Sequence, residues 1–118
     1  MALVVDPRGN WWIRQRQTGG TPENDVSVEI IVSRSGIIDG AGTFDGVAKW
    51  DGRQGVFGGQ VNGRSIGFTI IWPDQTRGDY GGYWFTDGYL RGHTVNLSNP
   101  AETAEWWSAE NNFTQVDL

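Results

Sequence analysis

The stretch Gly67-Phe68-Thr69-Ile70-Ile71-Trp72 decides how the chain is read. β-branched and aromatic side chains favour extended backbone because they pack well on a pleated surface. Residues two apart on a strand share a face, so Phe68, Ile70 and Trp72 line one side and Thr69 and Ile71 the other. A polar loop, Pro73-Asp74-Gln75-Thr76-Arg77-Gly78-Asp79, leads into a second aromatic run, Tyr80-Gly81-Gly82-Tyr83-Trp84-Phe85. Two such runs joined by a short loop with Pro and Gly form a hairpin. A Trp that ends an apolar strand face stands where the wall of a barrel meets its mouth.

Working outward, the same pattern recurs. Residues 9–17 alternate aromatic or apolar with polar side chains, as a half-buried first strand does. Residues 26–32 form a second strand turned by Ser35-Gly36, and residues 37–44 a third, with a bend or bulge at Gly40 and Gly42. Asp45-Gly46, Asp51-Gly52, Asn62-Gly63 and Asp87-Gly88 are tight-turn signals between apolar runs. They set off strands over 47–50, 56–61, 64–72, 80–85 and 89–97. Val4 and Val5 add a short edge pairing, and 112–116 is a closing strand. Residues 99–107 carry the one helical signal: Asn99 as a cap, Pro100 at the first helical position and Glu102 reaching back. The fold expected is all-β, an eight-stranded antiparallel up-and-down β-barrel with one short helical turn before the last strand, in a single domain over 1–118. Eight strands enclose an interior that either just fills with side chains or holds one small ligand.

Composition narrows the function. The 118 residues include 18 Gly and seven Trp, and no Cys. Without Cys there is no disulfide, thiolate nucleophile or Cys-based metal site. Net charge is −5, and the cations (Arg8, Arg14, Arg16, Arg34, Lys49, Arg53, Arg64, Arg77, Arg91) are scattered. An acidic chain without a basic stripe is a poor binder of phosphate backbones, so no nucleic-acid partner is expected. No apolar run approaches the roughly 20 residues that span a bilayer, and 1–5 is too short for a signal-peptide core. The compartment stays open between the cytoplasm and secretion with a signal removed.

Several stretches resemble the avidin and streptavidin barrels of the calycin family. Gly9-Asn10-Trp11 is similar to their G-x-W strand, Gly42-Thr43-Phe44 to a G-T-Y strand end, and Gly67 to Trp72 to a G-W-T-V-A-W strand. Glu105-Trp106-Trp107 and Phe113-Thr114-Gln115-Val116 resemble their closing A-W-K-S and F-T-K-V segments. The resemblance implies a ligand pocket in which Trp72 and Trp107 sandwich the ligand. In it Tyr80 takes the place of a pocket Trp, Phe44 that of a Tyr that polarises a urea-like group, and Asn111 that of a pocket Asp. Trp11 would plug the closed end. It also implies wall-to-wall homo-oligomers, with Ile71, Tyr83 and Phe85 facing outward. The pattern departs at Ile13, where those barrels have an Asn, at Gly46, where they have a Ser, and near Val95, where they place a Trp that crosses to a neighbour. Most partners of biotin's ureido group are thus missing.

The residues themselves place a binding site at Trp72 and Tyr80, with Thr76 and its loop neighbours as contacts. Large rings filling a small core are the alternative, sufficient for Trp11, Trp50 and Phe57. Gly63-Arg64-Ser65-Ile66-Gly67 matches G-x-S-x-G, but that motif acts on a strand-to-helix turn and none follows. His93 stands alone, so no metal site is expected, and Asp39, Asp45 and Asp51 are each followed by Gly and read as turn residues. The function expected is non-catalytic binding of a small cyclic or flat ligand, without cofactor. A carbohydrate-binding protein and a small barrel enzyme of cyclase or isomerase type are the alternatives.

Overall fold

The computed structural model describes residues 3–5, 9–38, 41–111, 113 and 115–117. Among the described residues there are ten strands: β1 (Leu3–Val5), β2 (Asn10–Gln17), β3 (Val26–Ile38), β4 (Ala41–Trp50), β5 (Arg53–Asn62), β6 (Ser65–Ile71), β7 (Arg77–Trp84), β8 (Leu90–Asn96), β9 (Thr103–Ser108) and β10 (Gln115–Asp117). Strands β2 to β9 follow one another around a closed antiparallel barrel, and β9 pairs back onto β2. The barrel expected from the sequence is therefore the one observed. β1 and β10 pair separately as a two-stranded sheet.

Alternation fixes what faces inward. Along β6, Ile66, Phe68 and Ile70 are buried while their neighbours are half-exposed. The interior is a stack of rings: Phe44, Phe57 and Phe68 lie about 6 Å apart at centroids 5.8 to 6.0 Å. Trp11 closes one end, edge-on to Phe68 and to Phe113, and the Trp84 indole N–H donates to the Phe113 carbonyl at 3.0 Å. Rings this large fit in eight strands because glycines face them. A Cβ at Gly82 would run into the Arg91 carbonyl and come within 2.8 Å of the Trp106 ring. One at Gly59 would strike Phe68.

Three local expectations are corrected. Asp45-Gly46 is not a turn but lies within β4, and Ser35-Gly36 lies within β3. Gly46 faces the register shift between Val32 and Arg34, where a Cβ would collide with the Ile31 carbonyl. The glycine serves that close approach at a bulge. β3 ends at Ile38 and β4 begins at Ala41, and the Asp39-Gly40 pair between them lies outside the described residues. The helical turn expected over 99–107 is absent: the sole helical turn among the described residues is a 3-10 turn at Pro22–Asn24. The Asn96–Glu102 segment is a tight connection instead, with Asn99 N–H donating to the Asn96 carbonyl and Glu102 N–H to that of Asn99. Residues 103–108 then form the closing strand, because only a strand there gives partners to the open edges of both β8 and β2. The segment expected to close the barrel, 112–116, contributes instead to β10, with Asn112 and Thr114 outside the described residues.

Among the described residues no helix is long and apolar enough to cross a membrane.

Candidate functional site

One end of the barrel is plugged by Trp11, Trp84 and Phe113. At the other, the connections after β2, β4, β6 and β8 surround a mouth with a cavity of about 430 Å³. Its inner wall carries Gln15, Trp50, Trp72, Gly78, Tyr80, Thr94 and Ala104, all at inward-alternating positions. Trp72 continues the Phe68–Ile70 face, as expected. Its indole lies against Gly55, where a Cβ would sit 3.0 Å from the ring. Its ring neighbour is Trp50, with centroids 6.1 Å apart and planes at 63°.

Tyr80 lines the same cavity but does not face Trp72 across the hairpin. The strand register sets it opposite Phe68, and the two rings stack at 4.9 Å and 3°. The Tyr80 hydroxyl donates to the Gln15 side-chain oxygen at 2.6 Å, and the Thr94 hydroxyl is its second side-chain partner. Burial pushes the phenol up to about 12, with both hydrogen bonds working against that rise. The hydroxyl thus keeps its proton in neutral solution, which makes it the donor to Gln15.

The β6–β7 connection forms the lip. The Trp72 N–H donates to the Thr76 carbonyl at 2.9 Å, and one Asp74 carboxylate oxygen accepts from both the Thr76 N–H at 3.0 Å and the Thr76 hydroxyl at 2.6 Å. These bonds hold the Asp74 carboxyl below its ordinary range, the Thr76 hydroxyl contributing most. Across the mouth, both Glu102 oxygens accept side-chain amides, from Asn96 at 3.1 Å and Asn99 at 3.2 Å. The Arg53 guanidinium lies over the Trp50 ring, 5.4 Å from its centroid.

Of the expected site residues, the mouth brings together Trp72, Thr76 and Tyr80. It excludes the other three. Phe44 is 2% exposed and packs between Phe57 and Phe68 below the cavity. Trp107 alternates outward, because Ala104, Trp106 and Ser108 take the inward places on β9. It lies on the outer wall, with Arg16 5.4 Å over its ring. Asn111 sits at the plugged end, its carbonyl against Gly88. Trp50, Gln15 and Thr94 were not among the expected site residues. The alternation Trp11, Ile13, Gln15 points Gln15 inward, and Phe44, Ala48, Trp50 does the same for Trp50 once Gly46 is in a strand.

A second depression, about 760 Å³, lies on the outer wall of β7–β9, walled by Tyr83, Phe85 and Trp107 over Gly81 and Gly92. His93 belongs to that outer wall. Ser65 of the G-x-S-x-G match donates its hydroxyl to the Asn62 carbonyl in a turn between strands. Among the described residues no group of three or more His, Asp or Glu side chains is placed to hold a metal ion.

No family model and no curated protein matches this chain. The barrel is similar to the solved structure of a redesigned beta barrel, b11L5F_LGL, with a TM-score of 0.59 over 87% of this chain and 90% of that one, at 9% identity. At that identity the likeness is one of fold.

Proposed function

We propose that this barrel binds a small cyclic ligand in its open mouth and performs no chemistry on it. The observation that carries the reading is the pairing of the half-buried rings Trp50 and Trp72 with the polar floor of Gln15, Tyr80 and Thr94 in one cavity. Ligand sites are typically concavities of about 300–1,000 Å³, apolar with a few convergent polar groups. The titratable groups around this one support a binding role. Glu102 holds two amides, Tyr80 holds its proton and Arg53 lies over a ring.

The avidin-like motifs support the same end of the barrel as the site, with Trp11 at the plugged end and Trp72 at the open one. Biotin fits poorly as the ligand. Ile13, where avidins carry a polar contact, is wholly buried, and Gly46 abuts the β3 backbone.

The test is tryptophan emission across a panel of small cyclic compounds, with wild type and Trp72→Ala side by side. Saturable changes that weaken at least about tenfold in the variant support the reading. Changes of equal affinity in both proteins count against it.

A further inference from the structure

The mouth has a definite geometry for a ligand's shape. Trp50 and Trp72 meet at 63°, so they make a corner and not a parallel slot. The third ring, Tyr80, has one face committed to Phe68. A flat aromatic compound can lie against one wall of such a corner only. A puckered saturated ring, with C–H groups pointing along two directions, touches both walls.

The polar groups specify the rest. Since the Tyr80 hydroxyl donates to the Gln15 oxygen, the amide nitrogen of Gln15 is the end left to donate elsewhere. It has no protein acceptor among the described residues, and neither do the indole N–H groups of Trp50 and Trp72. Gln17 adds a further amide at the rim. The charges are engaged: Glu102 by two amides, Asp74 by Thr76, and Arg53 over Trp50. Arg77 borders the cavity at its rim from an outward-alternating position, since Gly78 and Tyr80 take the inward positions of β7. The inner surface thus offers neutral donors to oxygen acceptors on a ring with apolar C–H faces.

Resting on the reading of the mouth as the ligand site, we infer that its ligand is a neutral, hydroxylated, saturated ring: a monosaccharide or the end unit of a short saccharide. Its C–H faces pack into the Trp50–Trp72 corner, and a ring oxygen or hydroxyl accepts from the Gln15 amide. A site built to hydrogen-bond hydroxyls discriminates strongly against rings that lack them.

The experiment is calorimetric titration of glucose, galactose, mannose, N-acetylglucosamine and myo-inositol, with glucuronate, benzoate and indole as comparison compounds. At least one neutral polyol should bind with a Kd of roughly 1 mM or tighter, as suits a small polar ligand in an open site. Gln15→Glu keeps the size and the acceptor for Tyr80 while removing the N–H donor, and should weaken that binding about tenfold or more. Gln15→Leu should do the same, and circular dichroism confirms that each variant is folded. If indole or benzoate binds in a Trp72-dependent way and no polyol does, the mouth is a ligand site and the polyol assignment is wrong. If no compound binds, or binding ignores Trp72→Ala, the mouth reading fails with it.

Discussion

The Tyr80 hydroxyl reaches Gln15 at 2.6 Å across the lumen, from β7 to β2, strands separated in the wall by β8 and β9. The bond ties opposite walls just below the mouth. Burial of the same hydroxyl, which outweighs the opposing effect of its hydrogen bonds, makes stability depend on alkaline pH. The folded phenol titrates at about 12 against an ordinary value of 10.0. A folded value raised above the unfolded one means the contribution is whole below the unfolded value and is lost as pH climbs through the folded one. The melting temperature should therefore fall from roughly pH 10 to pH 12. Tyr80→Phe should flatten that part of the profile while costing about 0.5–1.5 kcal/mol at neutral pH for the lost hydrogen bond. An unchanged alkaline slope in the variant would show that other groups set it.

Glycine–ring packing gives a matched pair of variants. Gly82→Ala forces a methyl group into the Arg91 carbonyl and the Trp106 ring, whereas a Cβ at Gly58 meets nothing within 4 Å. Gly82→Ala should cost at least about 1–3 kcal/mol in urea unfolding, as overpacking does. Gly58→Ala should stay within about 0.5 kcal/mol. Equal costs would mean the rings are not packed as described.

Much of this was legible in the chain. The alternation in 67–72 gives the correct inward face of β6, and Asp51-Gly52, Asn62-Gly63 and Asp87-Gly88 each mark a real strand connection. What was not legible depends on neighbours distant in sequence. Gly46 looks like a turn residue until the β3 carbonyl that fills its Cβ space is known. Asn99, Pro100 and Glu102 have capping-box spacing, yet the Glu102 carboxylate serves two side-chain amides and the following residues are drawn into barrel closure. At the site, Trp72, Thr76 and Tyr80 followed from strand-end position and loop. Choosing Trp106 over Trp107 for the interior would have required the register of β9. Gln15 was masked by its polarity, since only the buried Tyr80 hydroxyl explains a glutamine facing inward.

Biotin provides a sharp negative expectation. Ile13 and Phe44 are core residues, 0% and 2% exposed, and Gly46 has no room for a side chain. Each buried hydrogen bond that a ureido group fails to make costs roughly 1–3 kcal/mol, so two or three absent partners remove several decades of affinity. Calorimetry should detect weak binding or none. A nanomolar constant would overturn the placement of these side chains.

The outer wall makes self-association testable. Tyr83 is 62% and Phe85 43% exposed beside Gly81, where a Cβ would meet nothing within 4 Å, and the missing side chain leaves a trough for a neighbour's rings. A homo-oligomer at micromolar concentration is expected by light scattering, with Tyr83→Lys shifting it toward monomer. A monomeric wild type would exclude assembly through this wall.

In the proposed function the mouth, and not the outer wall, receives the ligand. Amide and indole chemical-shift mapping on labelled protein, titrated with a library of small cyclic compounds, tests it most directly. Shifts are expected to cluster at Gln15, Trp50, Trp72, Thr76 and Thr94. Shifts confined to Tyr83, Phe85, His93 and Trp107 would contradict it.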